Sequence, residues 1–178
     1  MANFLISLQI TLAHEVLYSN DPDDAGKETF RGISRKNHPD WDGWAIVDKN
    51  KGVPGFPANL VKHDTINQLV QSFYQVNFWK PISGNKISNQ NTADSIFDFA
   101  VNTGTLTSIV ALQSIVGAKL DGVVGDQTLN KLNSMDFGHF QAAFTLAKID
   151  HYIKVIEKRP TNKKYLYGWI IRALSFHN

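Results

Sequence analysis

Apolar residues recur at helical spacing along most of this chain, and a single long stretch interrupts that pattern. Near the amino terminus, Leu5, Leu8 and Leu12 repeat at intervals of one helical turn, which predicts an amphipathic helix over about residues 3–17. Over about residues 18–57 the periodicity disappears, and Asp, Asn, Gly, Pro and Trp dominate. A chain with this order is expected to form a mainly α fold with a small β or irregular lobe after its first helix.

The irregular stretch is long for a compact domain, and connections of that length are usually functional or disordered. Its aromatic residues, Trp41 and Trp44 among them, favour a packed lobe over a disordered one. Weak strand preferences predict short strands around residues 29–34 and 45–48. We therefore expect a structured lobe with a functional role.

The remainder of the chain returns to helical periodicity. Gly104, Gly117 and Pro160 mark boundaries between its segments, because glycine and proline end helices. The predicted helices cover about residues 64–79, 92–103, 106–116, 126–132, 137–157 and 163–174.

Composition and charge exclude several classes of protein. The 18 Lys and Arg against 16 Asp and Glu are too balanced for a nucleic-acid-binding surface. The absence of cysteine excludes disulfides, thiol nucleophiles and thiolate zinc sites. The six histidines lack metal-ligand spacing, and there is neither a phosphate-binding glycine loop nor a serine elbow. We expect no metal, no cofactor and no nucleic-acid partner, and we expect a monomer.

Two acidic residues near the start of the irregular stretch have contrasting surroundings. Glu15 lies near apolar and aromatic residues, whereas Asp24 belongs to a polar loop. Glycoside hydrolysis needs one carboxylic acid to protonate the leaving oxygen, and a second group to activate water or stabilise the oxocarbenium ion. On spacing alone, the simpler interpretation is that Glu15 is a surface helix residue and the aspartates are turn or cap residues. A calcium loop is disfavoured, because the acids lack the spacing and the closing Glu of an EF-hand.

Residues 14–34 taken together carry a more specific pattern. Their sequence, HEVLYSNDPDDAGKETFRGIS, resembles the signature of the glycoside hydrolase family 108 muramidases. The matching positions are Glu15, Tyr18, Asn20, Asp21, Pro22, Asp24, Gly26, Thr29, Gly32 and Ile33. The second half of the chain is similar to the predicted peptidoglycan-binding half found with that family. Its matching segments are residues 97–104, 112–113, 121–129 and 168–172.

The resemblance implies a lysozyme-like helical domain that cleaves the bond between N-acetylmuramic acid and N-acetylglucosamine in peptidoglycan. It implies Glu15 as the catalytic general acid. Lysozyme-like folds often add an Asp and a Thr after that Glu, and Asp24 and Thr29 stand at suitable spacing. Thr29 could help to hold the attacking water, and a plain strand threonine is the equal alternative. The resemblance also implies a muramidase-like catalytic portion over residues 1–90 and a helical peptidoglycan-binding-like portion over residues 91–178, which we expect to pack as one compact unit.

Three further residues are candidates for binding the substrate. Tyr18 and Trp44 could stack on sugar faces, although each could equally be a core residue. Asn102 could bond an N-acetyl group, and capping a helix end is the equal alternative.

The chain departs from the family pattern directly after Glu15. Val16 and Leu17 stand where the family has two glycines, and Ala25-Gly26-Lys27 stands where it has Pro-Gly-Gly. Glycine permits backbone shapes that Val and Leu do not, so the cleft beside Glu15 could be narrower. A non-catalytic peptidoglycan-binding or secretion-associated protein with the same fold is therefore the alternative function.

The amino terminus bears on where the protein acts. Its apolar stretch has no preceding Lys or Arg and is broken by Ser7, Gln9 and Thr11, so we expect no secretory signal and no stable membrane insertion. For a cell-wall substrate this fits release from the cytoplasm through a phage holin or a dedicated secretion system, and it fits equally a protein whose leader lies outside this sequence. A phage-derived endolysin, a wall-remodelling enzyme and an antibacterial effector all fit, and so do a retaining and an inverting mechanism.

Overall fold

The computed structural model describes residues 1–21 and 27–176. Within them, helices dominate and one small antiparallel sheet follows the first helix, so the expectation of a mainly α fold with a small β lobe is confirmed. The α-helices are α1 (Phe4–Leu12), α2 (Gly43–Asn50), α3 (Asp64–Tyr74), α4 (Gln90–Thr103), α5 (Thr105–Ile115), α6 (Asp126–Ser134), α7 (Phe137–Lys158) and α8 (Leu166–Leu174). The strands are β1 (Tyr18–Asn20), β2 (Glu28–Phe30) and β3 (Ile33–Ser34).

The chain divides into two compact units, one formed by residues 8–76 and the other by residues 1–7 and 77–178. We call them the small unit and the large unit. The expected division into a catalytic portion over residues 1–90 and a binding portion over residues 91–178 is a division by function, and it stays a prediction.

The sheet of the small unit is ordered β1-β2-β3, with both pairs antiparallel. A two-residue turn, Arg31-Gly32, joins β2 to β3, and both of its residues have positive φ, 46° and 79°. This is the backbone of a type I′ turn, whose twist matches that of the flanking strands. The turn sets Phe30 opposite Ile33, and both side chains are fully buried. The β2–β3 hairpin therefore contributes two fully buried side chains to the core of the small unit.

The predicted strand at residues 45–48 is wrong, because those residues belong to α2. Trp44 and Val47 are three residues apart and both buried, which is the spacing of one helix face. The strand was predicted from weak residue preferences over four residues, and so short a run cannot be distinguished from one turn of a helix.

The first helix is shorter than predicted, ending at Leu12 rather than near residue 17. The backbone then tightens, because His14 N–H donates to Thr11 O and Glu15 N–H donates to Leu12 O, each across three residues. Glu15 consequently lies in the connection between α1 and β1 and not on the helix itself.

The core of the large unit surrounds α4, whose residues 92–100 are all buried. Phe97 packs edge-on against Trp79, and Phe99 packs edge-on against Phe144 of α7. Buried Asp98 receives two hydrogen bonds from Arg172 of α8, each 2.9 Å long. A charge enclosed on this helix is thus paired, as a buried carboxylate requires. None of the described helices is long and apolar enough to cross a membrane.

Candidate functional site

The half-buried side chain of Glu15 reaches the hairpin turn of the small unit. A Cβ added to Gly32 would lie 3.0 Å from Glu15 Oε2 and 2.5 Å from the Tyr74 hydroxyl oxygen. The Tyr74 hydroxyl itself donates a 2.7 Å hydrogen bond to Arg31 O. Three segments, the α1–β1 connection, the β2–β3 turn and the end of α3, therefore converge where the Glu15 carboxylate lies.

Gly32 is required at this point for two reasons. Its φ of 79° is a conformation that residues with a Cβ adopt at a cost. Its missing side chain also leaves the space into which Tyr74 and Glu15 extend. The position that the family signature matches as Gly is thus explained by a close approach to the candidate acid.

Tyr18 lies half-buried on β1 and points its hydroxyl at Glu28 of β2. The hydroxyl donates a 3.0 Å hydrogen bond to Glu28 Oε1, and the ring packs edge-on against Phe56 at 4.7 Å between centroids. The pKa of Tyr18 is raised, mainly by burial and to a smaller extent by the adjacent Glu28 carboxylate, so the phenol is neutral. Its predicted role in stacking on a sugar stays a prediction.

Glu28 is the centre of an ion cluster that the sequence did not indicate. It pairs with Arg35 at 3.0 Å and with Lys51 at 2.6 Å, although it is only 8% exposed. Both cations also pair with Asp48 of α2, at 2.8 Å and 2.7 Å. Their hydrogen bonds lower the pKa of Asp48, with Arg35 contributing most. The cluster therefore links β2 to α2 within the small unit.

Thr29 lies at the centre of β2, opposite Ser19 on one side and Ser34 on the other. Its hydroxyl donates to Lys27 O over 3.4 Å. Asp24, the second predicted catalytic acid, lies outside the described residues. The roles assigned to both residues stay predictions.

Trp44 is 5% exposed and packs within the lobe. Its indole N–H donates a 2.7 Å hydrogen bond to His38 O. The guanidinium carbon of Arg35 lies 4.4 Å from its ring centroid, and the Trp41 ring packs edge-on against it. These contacts are those of a core residue, which was one of the two interpretations open to it. Stacking on a sugar by Trp44 stays a prediction.

Asn102 belongs to the large unit, near the end of α4, and not to the unit that holds Glu15. Its side-chain amide donates a 2.8 Å hydrogen bond to the Tyr152 hydroxyl of α7. Burial raises the pKa of Tyr152 to about 12, so this phenol is neutral. The amide is therefore used, at least in part, to join two helices, and binding of an N-acetyl group by Asn102 stays a prediction.

Sequence reasoning singled out Glu15 but missed Tyr74 and the Glu28 cluster. Tyr74 follows Val70 by four residues on α3, and both are buried, a signal that indicates core rather than a site. The cluster joins residues far apart in sequence, which no local pattern reveals. Among the described residues, no group of three His, Asp or Glu side chains could hold a metal ion.

A mainly α chain with a small antiparallel sheet after its first helix, and a carboxylate at that junction, has the lysozyme-like class of fold. The solved structure of Brucella abortus SagA is similar to it, with a TM-score of 0.63 over 98% of this chain and 95% of SagA. Their sequences are 21% identical, so this likeness shows a shared fold. No curated protein matches the chain.

The chain belongs to the glycosyl hydrolase 108 family, whose model matches residues 8–104. A second model, described as a predicted peptidoglycan domain, matches residues 107–174. The first match makes the chain a glycosidase by family, and the second supports peptidoglycan as its substrate. The resemblance drawn from residues 14–34 and from the later motifs is thereby confirmed.

Proposed function

We propose that the protein is an N-acetylmuramidase that cleaves peptidoglycan between N-acetylmuramic acid and N-acetylglucosamine, with Glu15 as its general acid. One observation carries the assignment of the acid. The Glu15 carboxylate is held beside the Gly32 turn and the Tyr74 hydroxyl, within the span of the matched glycosidase family. Placement by three separate segments is what a reacting carboxyl needs, because a small displacement greatly lowers a rate.

The proposed reaction begins with protonation of the glycosidic oxygen by Glu15. The bond from that oxygen to C1 of N-acetylmuramic acid breaks, the electron pair leaves with N-acetylglucosamine, and an oxocarbenium-like centre develops at C1. Water adds to C1, and its proton returns to a carboxylate. In this proposal an ionised Asp24 stabilises the developing positive charge or accepts that proton, and Thr29 orients the water. No cofactor takes part.

Tyr74 is proposed as a positioning residue for Glu15. Its hydroxyl donates to Arg31 O and so fixes the turn against which the carboxylate lies. The large unit is proposed to bind peptidoglycan, in agreement with the model that matches residues 107–174. Action at the cell wall, after release through a holin or a secretion system, completes the proposal.

Glutamate-to-glutamine substitution tests the assignment, because the chain has only three glutamates: Glu15, Glu28 and Glu157. Purified peptidoglycan is digested, and muropeptides with a new reducing N-acetylmuramic acid are quantified. We expect Glu15→Gln to lower their release by about 10²- to 10⁴-fold, the usual contribution of a general acid. Glu157→Gln, a change at an exposed position of α7, is the matched control and should leave the release unchanged.

Two outcomes would contradict the proposal. Full activity of Glu15→Gln would remove Glu15 from the chemistry. No release by the unaltered protein from several wall types, with binding to those walls intact, would favour the non-catalytic alternative. That alternative is motivated by Val16 and Leu17 at the positions after Glu15, where Val16 is exposed.

A further inference from the structure

The large unit contains an open cavity of about 520 Å³ between α5 and α7. All of its lining residues belong to the large unit. Most of them fall within residues 107–174, the span of the predicted peptidoglycan domain.

The loop after α5 contributes Leu120 to the lining of the cavity, and buried Gln113 fixes that loop. The Gln113 side-chain amide donates to Asp121 Oδ1 at 2.8 Å and to Val123 O at 3.0 Å. Its carbonyl oxygen accepts from Gly122 N–H at 3.0 Å. These bonds join residues 112–113 and 121–129, two of the segments that resemble the peptidoglycan-binding half, in one structure, and Leu120 of the same loop lines the cavity.

The apolar part of the cavity is open to solvent. Leu106 and Leu120, which both line the cavity, are 64% and 58% exposed and so present apolar surface to solvent. Val110, Ala111 and Ala147 supply small aliphatic surfaces behind them. Such a lining suits methyl groups and short apolar side chains.

The charged part of the cavity comes from α7. Asp150 and Lys154, which are one helical turn apart, form an exposed ion pair with 2.6 Å between Lys154 Nζ and Asp150 Oδ2. His151 lies beside them, edge-on to Phe99 at 5.5 Å, and burial lowers its pKa. The site thus offers one negative group, one positive group and a neutral imidazole that can donate or accept a hydrogen bond.

A glycan strand fits this lining poorly. Stacking on a sugar requires an exposed aromatic face, whereas the Phe99 ring is 1% exposed. The stem peptide of peptidoglycan fits better, because it combines alanine methyl groups with free carboxylates and the amine of its diamino acid. Its carboxyl-terminal carboxylate would pair with Lys154 and the ammonium of its diamino acid with Asp150, replacing the pair that these residues form with each other.

We propose that the α5–α7 cavity binds the stem peptide of peptidoglycan. The inference rests on the proposed function in taking peptidoglycan as the ligand, and it assigns recognition of the peptide to the large unit. Cleavage at Glu15 and peptide binding at this cavity are then separate events that can be measured separately.

Binding is measured by titration calorimetry with the full-length Glu15→Gln protein, so that cleavage does not enter. The probes are the synthetic peptide L-Ala–γ-D-Glu–L-Lys–D-Ala–D-Ala and glycan strands freed of peptide by an amidase. Ala147→Phe places a phenyl ring in the cavity, and Ala142→Phe makes the same change at an exposed position of α7 outside it. We expect Ala147→Phe to weaken peptide binding by about tenfold or more, and Ala142→Phe to leave it unchanged.

A second variant keeps the test decisive if Ala147→Phe disturbs the fold. Lys154→Gln changes an exposed side chain of the cavity, and Lys80→Gln changes an exposed lysine of the same unit that does not line the cavity, as its control. We expect Lys154→Gln to weaken binding of the free peptide, whereas a peptide amidated at its carboxyl end should bind both proteins equally. Absence of peptide binding, binding that the variants leave unchanged, or binding of peptide-free glycan that Ala147→Phe abolishes would each overturn the inference. None of these outcomes depends on whether Glu15 is the catalytic acid.

Discussion

The amine of Lys148 is buried in the large unit, at 1% exposure, and donates a 2.7 Å hydrogen bond to the Ser95 hydroxyl. The rings of Phe144 and Phe176 cover it, at 5.2 Å and 4.5 Å between the nitrogen and the ring centroids. Burial lowers the pKa of Lys148 from 10.5 to about 8, although Asp98 nearby acts in the opposite direction. A charged amine is therefore disfavoured here relative to the unfolded chain.

The depressed pKa of Lys148 predicts how stability depends on pH. Below pH 8 both the folded and the unfolded chains hold the proton, and the cost of burying the charge is fully present. Between about pH 8 and 10.5 the folded chain loses its proton first, so this cost decreases as pH rises. Relative to Lys148→Met, the free energy of unfolding of the unaltered protein should rise by roughly 2–3 kcal/mol from pH 7 to 10.

Urea unfolding of both proteins at several values of pH measures this difference. The series ends at pH 10, because the pKa of Tyr152 is raised to about 12 and unfolding is favoured above the ordinary tyrosine pKa. That effect is common to both proteins and cancels in the difference. A difference that stays constant from pH 7 to 10 would show that Lys148 keeps its proton in the fold.

Individual site residues were predictable from the sequence to different degrees. Glu15 was singled out by a motif, and the structure explains that motif through the turn residue Gly32. Trp44 was a candidate only because it is aromatic, and such a candidate cannot be assigned to a surface or a core without knowing its neighbours. Lys148 gave no signal at all, since a lysine in an amphipathic helix is ordinarily exposed.

At the scale of elements, the sequence correctly predicted the helices that have long periodic patterns of apolar residues. The helices now seen as α3, α4, α5 and α7 follow apolar stripes or clear boundary residues. The prediction failed in the lobe, where α2 was taken for a strand and β1 was not predicted. These elements are short, and the contacts that fix them involve residues outside each element: Asp48 of α2 pairs with Arg35, and Tyr18 of β1 donates a hydrogen bond to Glu28.

The β2–β3 hairpin gives a prediction about its turn. Gly32→Ala would place a Cβ 2.5 Å from the Tyr74 hydroxyl, in a backbone conformation that strains alanine. We expect the free energy of unfolding to fall by about 2 kcal/mol or more, from strain and from the displaced side chains. We also expect cleavage of peptidoglycan to fall further than the loss of folded protein explains, because Glu15 must move.

Gly52→Ala is the matched control for the hairpin. Its added Cβ would meet no atom within 4 Å, so its stability should change by no more than about 0.5 kcal/mol. Both variants are assayed at a temperature where calorimetry shows them fully folded. A Gly32→Ala protein that is destabilised but cleaves normally would show that the turn does not position the carboxylate.

At the scale of the whole chain, charge is distributed unevenly between the two units. The small unit carries seven Lys and Arg against nine Asp and Glu, whereas the large unit carries eleven against seven. The net charge of +2 conceals this asymmetry. Because bacterial walls are anionic, attraction to them should arise from the large unit, the one matched as a predicted peptidoglycan domain.

This asymmetry predicts where the salt dependence of wall binding originates. Raising NaCl from about 0.1 M to about 1 M shortens the screening length from about 10 Å to about 3 Å, so binding to isolated walls should weaken. Replacing Lys158, Lys163 and Lys164 with glutamine should remove most of that dependence, because all three are exposed in the large unit. The salt dependence is measured by sedimenting isolated walls with the protein at a series of NaCl concentrations and quantifying the bound fraction.

The matched control for this charge change replaces three exposed lysines of the small unit, Lys36, Lys49 and Lys62, with glutamine. Both triple variants lower the net charge equally, so a difference between them reports location rather than total charge. Equal loss of salt dependence in both would mean that the wall responds only to net charge. Wall binding that salt leaves unchanged would assign recognition to uncharged contacts and leave the basic residues of the large unit as a solvated surface.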